Sequence, residues 1–281
     1  MLKNWSRLAI VVFFLSNGFG CAPPQGGSAP QQESVLAKIK REKVIHAAYI
    51  KYPPFVIQDP KTNELSGYFI DLMARISELM NVKVSYEETD WATMVAGLQT
   101  KKFDIVVSGV FRTIPRAMEV TFPRPVLYVG ISGIARKGDD RFKTIDDLKK
   151  PGLTIAVTNG EVGYEYAKRF LPDAKLIAMD TADISRPFLD VIAGRADIGL
   201  GDSMTCSRFA EAHQDEVTDV FAGRPFYVYG TTVMIRRDDQ EWLDFLNIAL
   251  EFMVNSGVTD ELEKKYKGGS SAWISAKKPW E

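Results

Sequence analysis

Apolar positions along this chain switch repeatedly between a period of two and a period near 3.6. "VIHAAYI" (Val44 to Ile50) and the alternating "KVSYEET" that begins at Lys83 have strand character. Between them, Phe69, Leu72, Ile76, Leu79 and Met80 recur at helical spacing. "WATMVAGLQTKK" predicts a second amphipathic helix, and "FDIVVSGV" a buried strand. This βαβαβ order predicts a parallel, twisted sheet covered by helices.

The same alternation then starts again. "KTIDDLKKPG" predicts a short helix, "LTIAVTNG" a strand and "EVGYEYAKRFL" a helix. "AKLIAM", "DISRPFLDVIAGR" and "ADIGLGD" continue as strand, helix and strand. Two extended segments, "GISGIAR" (Gly130 to Arg136) and "YGTTVMIRR" (Tyr229 to Arg237), bracket this second unit. They predict a two-strand hinge between two α/β lobes, with the first lobe at 41–133 plus 228–281 and the second at 134–227. The stretch from Gln240 to Tyr266 predicts a helix pair with Gly257 as the cap between them. A cleft outside the carboxyl ends of parallel strands is a natural ligand site.

The amino terminus departs from this pattern. Lys3 and Arg7 precede an apolar run from Leu8 to Leu15, and small residues precede Cys21. That arrangement predicts a signal peptide over 1–20, too short in its apolar run for a membrane-spanning helix. Gly-Phe-Gly before Cys21 is similar to a bacterial lipobox, with Gly18 where Leu is usual, and predicts a lipid anchor on Cys21. The Pro-, Gln-, Gly- and Ser-rich stretch that follows predicts a flexible tether, taken here over 21–40.

Composition narrows the function. The chain has 281 residues and a formal net charge of −1, which gives no support for nucleic acid binding. Past Cys21, Cys206 is the one cysteine, so the exported body has no internal disulfide to rely on. His46 and His213 stand in no metal-ligand spacing. No metal and no cofactor are expected, and a monomer is.

The stretch with the most chemistry is "GVFRTIPRAMEVTF" (Gly109 to Phe122), directly after a buried strand. Thr113 suits a helix N-cap and Pro115 a first helical turn. Arg116 would then stand beside free backbone N–H groups, a setting made for an anion. The competing reading pairs Arg116 with Glu119 on the helix surface.

"KYPPF", "GYFIDLMARI", "TDWATMVAGLQTKKFDIVVSGV", "TIPRAMEVTFPRPV" and "DVIAGRADIGLGD", closed by "LNIALEFMVNSGVTDELEKKYKG", together resemble the family 3 solute-binding proteins of ABC importers, the polar amino acid binders. The resemblance spans about Lys43 to Gly268. It implies the type II periplasmic binding fold, an amino acid-like ligand between two lobes, and an ABC permease as membrane partner. It places the ligand's α-carboxylate on Arg116 and its ammonium on Asp202, with Tyr52 and Trp91 as walls. Gly109, Phe111, Glu161 and Val162 fall at further ligand positions, and Phe55 in the core. Phe111 stands where a small hydroxyl residue is usual, and Glu161 and Val162 where the family has Gly-Thr. Glu161 would meet a cationic group or favour a helix start. Arg112 would hold a second acidic group or face solvent, and Asp202 also suits a cap on the helix that follows. The alternative activity is that of the cyclohexadienyl dehydratases, which share the scaffold. It would use Glu165 as acid and Arg112 with Arg116 for two carboxylates.

Overall fold

Strand Val44–Tyr49 pairs in parallel with Lys83–Glu88 on one side and with Ile105–Phe111 on the other. Strand Thr154–Thr158 does the same with Lys175–Met179 and Ile198–Asp202. Both parallel triplets meet two long central strands, Leu127–Arg136 and Phe226–Arg236, which pair antiparallel with each other. Phe226–Arg236 borders the first triplet, with Thr231 opposite Phe111 and Ile235 opposite Ile105. Leu127–Arg136 borders the second, with Asp202 opposite Ile131. One sheet therefore runs unbroken through both halves, where the sequence suggested two sheets joined by crossings. The computed structural model describes residues 33–267 and 273–276. The expected signal peptide, Cys21 and the tether as far as Gln32 lie outside the described residues.

The tether expected over 21–40 is corrected at its carboxyl end. Residues Val35–Glu42 form a helix, capped by the Ser34 hydroxyl accepting from Ala37 N. Val35 and Ile39 recur at i, i+4 and are both buried, so this turn has a core-facing stripe of its own. Lys38 Nζ, 3.1 Å from the buried Asp104, and Val35 N, donating at 2.8 Å to Asp239 Oδ2, tie it to the body.

The helix expected from Trp91 starts later, as Met94–Gln99. Asp90 Oδ1 accepts from Ala92 N at 2.9 Å and Thr93 N at 2.8 Å, and this local turn holds Trp91 outside the helix. In helix Tyr68–Met80, Phe69, Leu72 and Ile76 are buried as their spacing predicts, but Leu79 is 68% exposed. A short strand with no signal in the apolar pattern, Trp273–Ser275, pairs with Leu127–Arg136. It carries Trp273 to within 5.2 Å of the Phe55 ring and 6.2 Å of Tyr68, closing the core of the first half.

Candidate functional site

The short helix Ile114–Glu119 begins as its sequence dictates, with the Thr113 hydroxyl accepting from Arg116 N and proline in the first turn. This start turns the Arg116 side chain back over the end of strand Ile105–Phe111. Its Nη1 donates to the Phe111 carbonyl at 3.3 Å. Its Nη2 reaches across to the second half and donates to the Gly160 carbonyl at 2.9 Å. The guanidinium also lies 5.8 Å from the Trp91 ring centroid, within cation–π range. Glu119, the expected surface partner, accepts from Gln99 Nε2 instead. Among the described residues no carboxylate lies within 4.0 Å of Arg116. The residue as a whole is partly exposed, and its charged end is the enclosed part. Desolvation lowers its pKa, against the pull of Glu161 and Glu165.

Two acids stand on the other side. Glu161 is the N-cap of helix Val162–Phe170, and its Oε2 accepts from Gly163 N at 2.8 Å. Asp202 caps helix Ser203–Ala212, accepting from Met204 N and Thr205 N at 2.9 Å each. Each makes the helix cap that the sequence offered as one of its readings, and both are buried. A capping carboxylate is ordinarily on a solvated surface; these two are enclosed beside each other. Burial first, and then for Glu161 the charge of Asp202, raises the pKa of Glu161, while burial raises that of Asp202. Neither acid has a Lys, Arg or His nitrogen within 4.0 Å among the described residues.

Tyr52 is 2% exposed and packs edge-on against Trp91 at 5.6 Å and Phe55 at 5.1 Å. Its hydroxyl makes no hydrogen bond of standard geometry. Burial, followed by the nearby Asp202, drives its pKa well up. Phe111 stacks on Tyr229, ring centroids 5.8 Å apart at 17°.

Tyr52, Trp91, Phe111, Arg116, Glu161 and Val162 thus line one cavity, completed by Ile184. Its volume is about 10 Å³, room for at most a single water. Asp202 does not line it; it sits behind Tyr52 and Glu161. Gly109 does not line it either. Its φ of +67° and the Phe69 ring, 2.6 Å from where a Cβ would stand, make it a close-packing position. Arg112 is exposed, with its backbone N donating to Gly230 O. Glu165 lies half-buried on its helix and acts on Arg116 through charge alone. Ile184 was missed from sequence; its signal is a branched aliphatic residue alone within the polar run "DTADISRP". Among the described residues no group of three or more His, Cys, Asp and Glu side chains is placed to hold a metal ion.

A model of the bacterial extracellular solute-binding proteins, family 3, matches residues 44–269. The lysine/arginine/ornithine-binding periplasmic protein of Escherichia coli (strain K12) is 28% identical over 220 residues, spanning 76% of this chain and 84% of that one. The cyclohexadienyl dehydratase of Pseudomonas aeruginosa is 26% identical over 215 residues, spanning 75% and 78%. The crystal structure of an ancestral amino acid-binding protein, a precursor of cyclohexadienyl dehydratase, superposes with a TM-score of 0.74 at 31% identity. That match covers 83% of this chain and 99% of the ancestral one.

Proposed function

The chain belongs to the bacterial extracellular solute-binding proteins, family 3, and from that premise we propose that it captures an amino acid between two lobes for an ABC importer. Its fold is the two-lobed, type II periplasmic binding fold. Among the described residues no helix is long and apolar enough to cross a membrane.

One observation carries the reading. Arg116, a guanidinium with no carboxylate within 4.0 Å among the described residues, lines a small cavity with the buried Glu161, and the buried Asp202 stands behind Glu161, neither acid having a cationic partner within that distance. A zwitterion satisfies both poles at once. Its α-carboxylate takes the fork of Arg116 in place of the Gly160 carbonyl, and its ammonium neutralises the acids. Tyr52 and Trp91 supply flat walls for the carbon chain. The 10 Å³ cavity holds no amino acid as it stands, so entry requires the lobes to part. We assign 41–133 with 228–281 to one lobe and 134–227 to the other, the two central strands being the hinge. The lobes then close over the ligand, which bridges Arg116 on one and Glu161 and Asp202 on the other.

The protein performs no chemistry in this reading. Elimination from a cyclohexadienyl acid needs a proton donor against the leaving hydroxyl. Glu165, the acid the sequence offered for that step, does not line the cavity, and Arg112, the second arginine, faces solvent. A monomer held outside the cell by a lipid on Cys21, handing its ligand to a membrane permease, completes the proposal.

The test is thermal shift of the full chain against the proteinogenic amino acids, with prephenate turnover assayed in parallel. A ligand at 100 times its Kd adds about 2.7 kcal/mol of stability, a plain shift. A hit that vanishes in Arg116→Ala supports the proposal. Silence from every amino acid, or prephenate turnover, overturns it.

A further inference from the structure

A second and larger cavity, of about 650 Å³, opens on the far side of Tyr52 and Ile184, which line both spaces and form the wall between them. Both halves of the chain contribute to it. Pro53, Leu189 and Phe209 give it an apolar side. Thr205 also faces it, and the Thr205 backbone N–H is held by Asp202, so the cavity reaches the back of the acidic pole.

Its charges do not cancel. Lys51 is paired with Glu88 at 3.0 Å. His213 is engaged through Nδ1 with Glu216, also at 3.0 Å. Asp183 is spent locally, accepting from the Ser185 backbone N and hydroxyl. Arg186 and Arg208 remain. Both are exposed at the cavity, and among the described residues neither has a carboxylate within 4.0 Å. Two guanidiniums therefore stand uncompensated in a cavity that also has an apolar side, Asp183 being engaged by Ser185.

We propose that this outer cavity is a second subsite, which receives the distal carboxylate of an amino acid whose side chain runs past Tyr52 and Ile184. This rests on the amino acid reading of the inner site and specifies its ligand: an α-amino acid with a second carboxylate at the end of a chain of several atoms. The inner poles hold the head group; Arg186 and Arg208 select the tail. Phe111, stacked on Tyr229, lines one side of the inner cavity, and Tyr52 and Ile184 form the side that the inner cavity shares with the larger space, where a long side chain would run.

The experiment is calorimetric titration of the full chain with L-glutamate, L-2-aminoadipate and L-2-aminopimelate. L-norleucine serves as an aliphatic side chain without the distal carboxylate, and L-arginine as a cationic one. The expected order is aminopimelate over glutamate, with the best diacid about tenfold tighter than norleucine, the scale of one charge-assisted hydrogen bond near solvent. The double variant Arg186→Ala with Arg208→Ala should lose that preference and keep norleucine within twofold. Both side chains are exposed, so an unchanged melting curve checks the fold. A preference that survives in the double variant overturns the subsite. So does a wild type that binds arginine or norleucine as tightly as every diacid, an outcome that leaves the amino acid reading standing. A chain that binds none of the five and none of the proteinogenic amino acids overturns both.

Discussion

Arg116 and Gly160 join the two halves of the protein through one hydrogen bond, Nη2 to carbonyl oxygen at 2.9 Å. The guanidinium thus donates to a neutral acceptor where its geometry suits an anion. Arg116→Ala should weaken amino acid binding by at least thirtyfold, the lower end of what loss of one partner in an enclosed charge pair costs. Arg116→Lys should recover little of it, because an ammonium cannot form the two-pronged contact. Stability of the ligand-free chain should fall by about 1–3 kcal/mol in the alanine variant, the scale of its two hydrogen bonds to backbone carbonyls, and by less in the lysine variant. Calorimetry and thermal melts on the three proteins check both halves of the statement.

The buried acids give a pH dependence with a definite sign. Glu161 and Asp202 hold their protons more tightly folded than unfolded. Their contribution to stability is complete below the ordinary carboxylate range and is lost as pH rises toward about 8, where Glu161 titrates. The ligand-free melting temperature should therefore fall between pH 5 and 9. Glu161→Gln should flatten the fall by at least about 1.4 kcal/mol, the equivalent of one pKa unit. Asp219, raised to about 6 by burial, contributes with the same sign, and the difference between wild type and variant removes it. A ligand ammonium favours the ionised acids, so stabilisation by the ligand should grow over the same interval.

Asp202 has two tasks that substitution separates. Asn keeps an acceptor for Met204 N and Thr205 N but carries no charge. Asp202→Asn should hold the melting temperature and lose most ligand affinity. Asp202→Ala should lose the affinity and, with the cap gone, about 1 kcal/mol of stability as well. Equal affinity in wild type and Asn variant, measured by titration, would remove Asp202 from the site.

Gly163 sets how closely the helix carrying Glu161 approaches the sheet. A Cβ there would stand 2.3 Å from the Leu200 carbonyl oxygen. Backbone gives way poorly, so Gly163→Ala should cost roughly 1–3 kcal/mol in chemical denaturation and lower affinity by displacing Glu161.

The parts of this site that sequence conveyed are those fixed by local chemistry. Thr113, Pro115 and Arg116 describe a helix start in themselves, and that start aims the guanidinium. The apolar runs marked the inner strands Ile105–Phe111, Thr154–Thr158 and Ile198–Asp202, because a strand buried on two faces has few polar positions to hide it, while the outer strand Lys83–Glu88 showed by alternation. What sequence withheld depends on distant partners. Glu161 stands beside Asp202 because strands Thr154–Thr158 and Ile198–Asp202, far apart in sequence, are neighbours in the sheet, and residues of the first half such as Tyr52 and Trp91 line the cavity with it. Arg112 and Arg116 look alike in the chain, yet one faces water and the other the cavity, because Arg112 lies before the Thr113 cap and Arg116 on the helix that begins after it. Trp273 gave no strand signal at all, since a three-residue edge has too short a period to count.

The two long central strands also decide what opening the cleft involves. They lie side by side in one sheet, so each half keeps its own ladder whole when the halves separate. Their mutual register shifts between Phe226 and Tyr229, where Tyr227 takes a φ of +51°. The ribbon is therefore already irregular between the two halves, a place where it can bend with most of its hydrogen bonds kept. In the proposed opening, gating falls to contacts such as that of Arg116 with Gly160. A solute that replaces that single bond with a stronger one acts as latch and cargo together.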